Sequence, residues 1–168
     1  GLLAARALAD HAAEVLLLER DALPEEPGHR KGVPQSKHTH VLLGAGRRAL
    51  ERFFPGITEE LIARGAIVGD PMQEVLRYLG GGCHARGASA RRTLYVSRPL
   101  LEAYVRGRLR TVANVRFLER RDIRGLAISA DGSRVAGVEV EHDAATSTLD
   151  AGLVVDATGR GSHTPQWL

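Results

Sequence analysis

The chain has 168 residues, 43% of them hydrophobic, which is sufficient for one soluble globular domain with an apolar core. Its 23 basic and 20 acidic residues leave a formal charge of +3, and three Phe, three Tyr and one Trp offer little to stack on bases, which argues against nucleic-acid binding. The single cysteine, Cys83, excludes an internal disulfide and favours a reducing, cytoplasmic setting, and no apolar run approaches the about 20 residues of a membrane span.

The first elements predict the second half of a βαβ unit. Residues 1–9 are rich in helix formers and present a face of small residues. The four consecutive aliphatic residues Val15–Leu18 are typical of a strand buried on both faces of a parallel sheet. Glu19 follows at the carboxyl end of this strand, where open α/β sheets bind ligands and a carboxylate can accept hydrogen bonds from a ribose. An exposed Glu after a buried strand is the ordinary structural alternative.

Residues 22–39 have neither a helical nor a strand period. Structureless loops longer than about 12–15 residues are uncommon in compact domains and are often functional. The middle of the segment, Arg30–His40, collects cations and switchable donors that would suit anionic phosphates. His38 and His40 have the spacing of a metal-ligand pair but no companion Cys, Asp or Glu cluster, so a solvent-facing loop with incidental histidines is the favoured interpretation.

The middle of the chain predicts two helices, at 43–54 and 58–65. Strands are predicted at 75–79 and 93–97, and we expect the whole of 66–96 to form a small antiparallel excursion from the main sheet.

A further helix begins at Ser97-Arg98-Pro99, because Pro is tolerated in a first turn. Its apolar stripe is expected to pack on the main sheet and consists of Leu101, Tyr104, Val105, Leu109 and Val112. Arg98 either stabilises the helix start or directs its guanidinium at a phosphate or a ribityl hydroxyl.

The last third predicts a return to the main sheet. Residues 115–119 have the pattern of a parallel strand. Strands at 123–129, 134–142 and 146–150 form an antiparallel meander, with Asp131-Gly132 as the hairpin turn between the first two. Residues 153–155 predict another buried strand, and it runs into a glycine-rich turn. There Gly159 and Gly161 would let a dinucleotide approach the backbone, although a plain turn after a strand remains the alternative.

Five motifs in order resemble the FAD-dependent oxidoreductases related to p-hydroxybenzoate hydroxylase, with the nearest likeness to the bacterial monooxygenase, geranylgeranyl-reductase and flavin-halogenase group. The motifs are Gly1-Leu-Leu-Ala-Ala-Arg, Val15-Leu-Leu-Leu-Glu-Arg-Asp, Arg30-Lys-Gly-Val-Pro-Gln with His38 and His40, Ser97-Arg-Pro-Leu-Leu-Glu, and Val154-Val-Asp-Ala-Thr-Gly-Arg-Gly-Ser. The resemblance implies an α/β fold, a partial Rossmann-like FAD-binding domain with a mostly parallel sheet and helices, plus a three-stranded antiparallel β-meander at 123–150. Residues 1–168 would be an incomplete FAD-binding domain whose first strand is missing, and 66–96 would lead toward an absent substrate domain.

The resemblance implies roles for three residues near the start of the chain. Gly1 would close the FAD phosphate loop, which is expected to begin upstream of it. Glu19 would bind the adenosine ribose, and Arg20 would lie beside the adenine.

In the middle of the chain the resemblance implies that Arg30, Lys31 and Gln35 approach the flavin and its phosphates. Arg98 matches a position whose side chain contacts FAD in the family.

Near the end of the chain, Thr158-Gly159 matches the family's Asp-Gly motif close to the pyrophosphate, in the turn that Asp156 begins. NAD(P)H is a candidate electron donor near this turn. Because Thr158 replaces the usual Asp, the reductase and halogenase branches stay open.

The intact parent protein would be an FAD-dependent oxidoreductase, with a monooxygenase that hydroxylates a small organic or aromatic substrate as the first choice. The alternatives are a geranylgeranyl-reductase-like or halogenase-like flavoenzyme, and an inactive nucleotide-binding fragment. No residue is identified as a catalytic acid or base, and no metal, nucleic acid or membrane span is expected. By itself the chain is expected to bind FAD more weakly than micromolar, because a phosphate loop supplies backbone donors that side chains elsewhere cannot replace.

Overall fold

The structure, a computed structural model, describes residues 1–30 and 32–168. The helices it describes are α1 (Leu2–Ala9), α2 (Gly44–Phe53), α3 (Ile57–Ala63), α4 (Pro71–Glu74), α5 (Arg98–Arg110) and α6 (Thr164–Trp167). The strands are β1 (Val15–Glu19), β2 (Val41–Leu42), β3 (Ile67–Gly69), β4 (Tyr78–Leu79), β5 (Gly82–Cys83), β6 (Thr93–Tyr95), β7 (Val115–Glu119), β8 (Asp122–Ile128), β9 (Val135–His142) and β10 (Ala145–Asp150). These elements form two compact units, the first made of Gly1–Leu23 and Leu109–Leu168, the second of Pro24–Arg108. The assignment of 1–168 to one incomplete FAD-binding domain stays a prediction.

The first unit contains the predicted parallel pair. Strands β1 and β7 run side by side, with Val15 opposite Val115 and Glu19 opposite Glu119. Asn114 joins the pair to α1, since its Nδ2 donates to the backbone oxygen of Ala9 at 2.8 Å. Leu16–Leu18, predicted to be buried on both faces, are only half-buried, because this parallel sheet has two strands among the described residues.

The predicted β-meander is also present in the first unit. Its strands lie in the order β10-β9-β8, and each pair is antiparallel. The turn between β8 and β9 contains Gly132 at φ +70°, whose N–H donates to the Ser129 oxygen at 2.8 Å. Hydrogen bonds from Ser129 and Ser133 lower the pKa of the Asp131 carboxyl to about 2. The Asp-Gly pair therefore forms the turn that the sequence predicts.

The strand predicted at 153–155 is absent, so this prediction is wrong. Leu153 is 65% exposed and Val155 is 48% exposed, and the backbone there adopts no regular conformation. A strand needs a neighbour for its N–H and C=O groups. Within the described residues, 153–155 pair with no strand of either sheet of this unit.

The second unit combines a small antiparallel sheet with helices. Strand β6 lies between β2 and β3. Helices α2 and α3, which the sequence predicts, bury Leu50, Ile57 and Leu61. Glu51 joins the two helices, because its carboxylate accepts hydrogen bonds from the Thr58 hydroxyl at 2.6 Å and from the Gly56 N–H at 2.5 Å. These bonds, the one from Thr58 foremost, lower the pKa of Glu51.

The excursion at 66–96 differs in detail from its prediction. The strand predicted at 75–79 is reduced to β4. This strand forms a hairpin with β5 through a turn of two residues. Residues 71–74 form α4 instead, because Pro71 suits a first turn and Asp70 caps the helix by accepting from the Met72 N–H at 2.9 Å. The predicted strand at 93–97 is observed as the shorter β6.

Several short elements were not predicted, among them β2 and α6. Strand β2 pairs with β6 although only two residues take part. Within the segment predicted to lack structure, residues Pro34–Lys37 form a 3-10 turn. Helix α5 begins at Arg98 as predicted, where the Ser97 hydroxyl accepts from the Leu100 N–H at 3.3 Å. That its apolar stripe packs on the main sheet stays a prediction.

Candidate functional site

Glu19 lies where the sequence predicts, at the carboxyl end of β1. Its Oε1 accepts a hydrogen bond from the Asp21 N–H at 3.1 Å, so the carboxylate also stabilises the turn that follows the strand. Arg20 is exposed, and its Nε lies 3.8 Å from the Asp21 carboxylate. Glu19 is half-buried, and its observed hydrogen bond is the structural role that the sequence offers as the alternative.

Glu119 is a second carboxylate at this edge, and sequence analysis did not identify it as a site residue. It lies opposite Glu19 at the end of β7. Its oxygens accept from the Leu23 N–H at 2.7 Å and from Arg110 at 2.8 Å. The signal was present in the sequence, since residues 115–119 repeat the pattern of an apolar run that ends in Glu.

Gly1 and the turn that Asp156 begins are brought together in the first unit. A Cβ placed on Gly1 would lie 3.9 Å from the Cβ of Ala157. Gly1 immediately precedes α1, and its oxygen accepts the first helical hydrogen bond from the Ala5 N–H at 2.9 Å. A glycine at this position leaves room between the helix start and the turn.

Asp156 is surrounded by hydroxyl groups. It accepts from the Thr158 N–H at 2.8 Å, from the Thr158 hydroxyl at 2.6 Å and from the Thr164 hydroxyl at 2.7 Å, and the Ser162 hydroxyl donates to it as well. These hydrogen bonds, the one from Ser162 foremost, hold the pKa of the Asp156 carboxyl well below its usual range. Asp156 therefore shapes the turn in which Gly159 adopts φ +80°.

The roles of Ser162 and Thr164 in this turn were missed in the sequence. Their signal was the density of hydroxyl residues directly after an Asp, which favours local side-chain hydrogen bonds. The Thr158 hydroxyl donates to Asp156 at 2.6 Å.

In the second unit, Arg30 belongs to a network of charged side chains. Its Nη1 lies 2.7 Å from Glu102 Oε1, and Arg106 Nη1 lies 3.3 Å from the same oxygen. Arg106 is only 3% exposed and also donates to the Pro24 oxygen at 2.5 Å. Sequence analysis did not identify Glu102 or Arg106, although their spacing of four residues on a predicted helix was a signal for a pair.

Two further predicted site residues of the second unit, Gln35 and Arg98, are exposed. Gln35 lies in the 3-10 turn, and Arg98 is the first residue of α5. The predicted contact at Lys31 lies outside the described residues. His40 Nδ1 lies 3.1 Å from the Val96 oxygen. Across residues 1–30 and 32–168 no three His, Cys, Asp or Glu side chains converge as metal ligands would.

Each unit holds part of the predicted set. The first unit contains Gly1, Glu19, Arg20, Asp156, Thr158 and Gly159, and the second contains Arg30, Gln35 and Arg98. A carboxylate at a parallel strand end suits ribose hydroxyls, and a guanidinium group suits phosphates.

The fold is similar to that of a flavin monooxygenase. The structure of PqsL from Pseudomonas aeruginosa, a probable FAD-dependent monooxygenase, superposes with a TM-score of 0.58 at 18% sequence identity, over 86% of this chain and 36% of that chain. The structure of PqsL in complex with 2-aminobenzoylacetate gives a TM-score of 0.63 at the same identity and coverage. At this identity the similarity shows the fold.

A relative is also found by sequence. Protein Rv3254 of Mycobacterium tuberculosis (strain H37Rv) is 36% identical over 182 residues, which covers 100% of this chain and 37% of that protein. The chain therefore spans little more than a third of the length of the proteins it matches. No protein-family model matches the chain.

Proposed function

We propose that this chain is the FAD-binding portion of a flavin-dependent oxidoreductase, and that the parent protein is a monooxygenase that hydroxylates a small organic or aromatic substrate. The observation that carries the proposal is Glu19 at the carboxyl end of β1, in a parallel strand pair preceded by α1 and Gly1. The shared fold with PqsL supports the choice of cofactor. The complex of PqsL with 2-aminobenzoylacetate supports a small organic molecule as the substrate class.

In this proposal the residues of the chain bind and orient the cofactor. Glu19 accepts hydrogen bonds from the adenosine ribose, and Arg20 lies beside the adenine. Gly1 and Gly159 give the pyrophosphate access to the backbone, and Arg30 contributes a positive charge to the phosphates. Bound FAD supplies the redox chemistry on the substrate.

Gln35 and Arg98 complete the proposed cofactor contacts of the described residues. Both are exposed, and each offers N–H donors that suit the polar groups of FAD. Asp156 acts by shaping the turn that carries Gly159.

Thr158, in place of the Asp that is usual in the related flavoenzymes, favours a second candidate function. With no carboxylate in this place, direct use of NAD(P)H loses support, and a geranylgeranyl-reductase-like or halogenase-like flavoenzyme becomes the alternative. An inactive nucleotide-binding fragment is the third possibility, and the experiment below separates it from the other two.

Comparing ligands tests the adenosine side of the proposal. The chain is titrated with FAD, ADP and FMN, each followed by NMR into the high micromolar range because weak binding is expected. FAD and ADP should bind and compete, whereas FMN lacks the adenosine that Glu19 holds and should bind about tenfold more weakly or worse. Equal affinity for FMN and FAD would contradict the ribose assignment, and binding of ADP without binding of FAD would favour the inactive nucleotide-binding fragment.

A further inference from the structure

Residues 24–38, here called the Arg30 loop, form hydrogen bonds with side chains of helix α5 at two points. The Pro24 oxygen at the start of the loop accepts from Arg106 at 2.5 Å, and Arg30 near its centre pairs with Glu102 at 2.7 Å. His29 and Ser36 add an internal hydrogen bond of 3.0 Å between Nδ1 and Oγ. These contacts join two points of the segment to α5 and link His29 to Ser36 within it.

The network is partly buried, most of all at Arg106. The side chains of Arg30, Glu102 and Arg106 are 14%, 19% and 3% exposed. Buried charges need partners, and removing one partner of such a group is far more disruptive than breaking a surface pair. The Glu102 carboxylate is the common acceptor of both guanidinium groups.

The geometry distinguishes this network from an ordinary pair along a helix. If Glu102 and Arg106 served only α5, the shortest contact would join the two. Instead Glu102 Oε1 is closer to Arg30 than to Arg106, at 2.7 Å against 3.3 Å. The second amino group of Arg106 is directed to the Pro24 oxygen. Both helical side chains therefore reach into the Arg30 loop.

We propose that Glu102 is a positioning residue that orients the Arg30 guanidinium for the cofactor phosphates before the cofactor binds. This inference rests on the proposed function, in which Arg30 meets the phosphates of FAD. Glu102 orients the guanidinium by accepting a charge-assisted hydrogen bond from one of its edges. Ordering the loop in advance lowers the entropy that binding must otherwise remove.

The positioning role and simple charge attraction predict opposite effects of neutralising Glu102 on the affinity for FAD. FAD is an anion, so neutralising Glu102 should strengthen its binding if charge alone matters. If Glu102 positions Arg30, the same change should weaken binding, because the loop loses its order.

The test compares Glu102→Gln with Glu60→Gln. Glu60 pairs with Arg108 at 2.6 Å in the same unit, and neither residue belongs to the Arg30 loop, so Glu60→Gln is a matched control. Hydrogen exchange of residues 24–38 and the affinity for FAD are measured in the full chain, with circular dichroism to confirm folding. Glu102→Gln should speed loop exchange and weaken FAD binding, each by about tenfold, while Glu60→Gln should leave both within about twofold.

Unchanged loop exchange, or tighter FAD binding, in Glu102→Gln would overturn the proposal. If that variant fails to fold, Glu102→Asp is used, because it keeps the charge but withdraws the carboxylate. Faster exchange of the loop and weaker FAD binding are again expected. Loop exchange and FAD affinity equal to those of the wild type would overturn the proposal. The proposed function fails in a different way, with no FAD binding by the wild type even though Glu102→Gln loosens the loop. Failure of this inference alone shows as wild-type FAD binding that Glu102→Gln leaves intact.

Discussion

Carboxylates that accept hydrogen bonds from nearby hydroxyl groups define much of the local structure. Asp70 is buried, caps α4 and accepts from both the hydroxyl and the N–H of Ser89 at 2.6 Å. These bonds, the hydroxyl foremost, lower the pKa of Asp70 from 3.8 to about 2. Asp156 repeats the arrangement with Thr158 and other hydroxyl residues of its turn. Both groups are ionised for structural reasons, and neither has the pKa of a general acid near neutral pH.

We predict that Asp70 contributes to acid sensitivity. Its pKa is lower in the folded chain than in the unfolded one, so its contribution to stability is present above about pH 4 and is lost as the pH falls through about 2. The free energy of unfolding, measured by urea titration between these values, should depend less on pH in Asp70→Asn than in the wild type. Asp150→Asn, which changes an exposed carboxylate on β10, is the control. Parallel pH profiles for Asp70→Asn and the wild type would refute the prediction.

The sequence predicts hydrogen-bond partners that are close along the chain and misses those that are distant. The turn at Asp131-Gly132 could be predicted because its partners are two residues away. Ser89 lies nineteen positions from Asp70, and Arg30 lies seventy-two from Glu102, so neither contact has a local signal. The same distance explains why Glu102 was not recognised as a candidate.

Elements with a long, regular pattern were predicted well. The helices α1 and α5, the pair β1 and β7 and the meander agree with the sequence because each is set by its own period. Strand β2 was missed because two residues carry no period. The prediction of a strand at 153–155 was wrong because apolar composition alone does not supply the neighbouring strand that hydrogen bonding requires.

Gly137 allows the close packing of the meander to be tested, and Gly107 in α5 provides a contrasting site with open space. A Cβ at Gly137 would overlap the oxygen of Leu149 on the adjacent strand and approach Asp150 Cα to 3.1 Å. Gly137→Ala should therefore lower the free energy of unfolding by about 1–3 kcal/mol. In α5 a Cβ at Gly107 meets nothing within 4 Å, so Gly107→Ala should raise it by about 0.5–1 kcal/mol. Urea denaturation measures both, and a Gly137→Ala chain as stable as the wild type would disprove the packing argument.

For the molecule as a whole, the first unit is made of two segments that are separated by the continuous stretch Pro24–Arg108. Sequence analysis predicted an excursion at 66–96, and the compact unit that contains it is larger. Such a division depends on contacts between residues far apart in the chain, which a single sequence does not specify. The α/β class, with one parallel and several antiparallel pairings, could be predicted from the order of the elements and is confirmed. No helix in the described part of the chain has the length and apolar character needed to cross a membrane.

The central claim is that Glu19 at the end of β1 binds the adenosine ribose of FAD, and a titration of Glu19→Ala tests it most directly. Glu14→Ala is the control, because Glu14 is an exposed carboxylate just before the other end of the same strand, paired with Arg116 at 2.9 Å. FAD binding is followed by flavin fluorescence into the high micromolar range, with circular dichroism to confirm that both variants fold. Loss of a hydrogen bond to a charged group should weaken FAD binding by about tenfold or more in Glu19→Ala and by less than about twofold in Glu14→Ala. Equal affinities in the two variants would contradict the account.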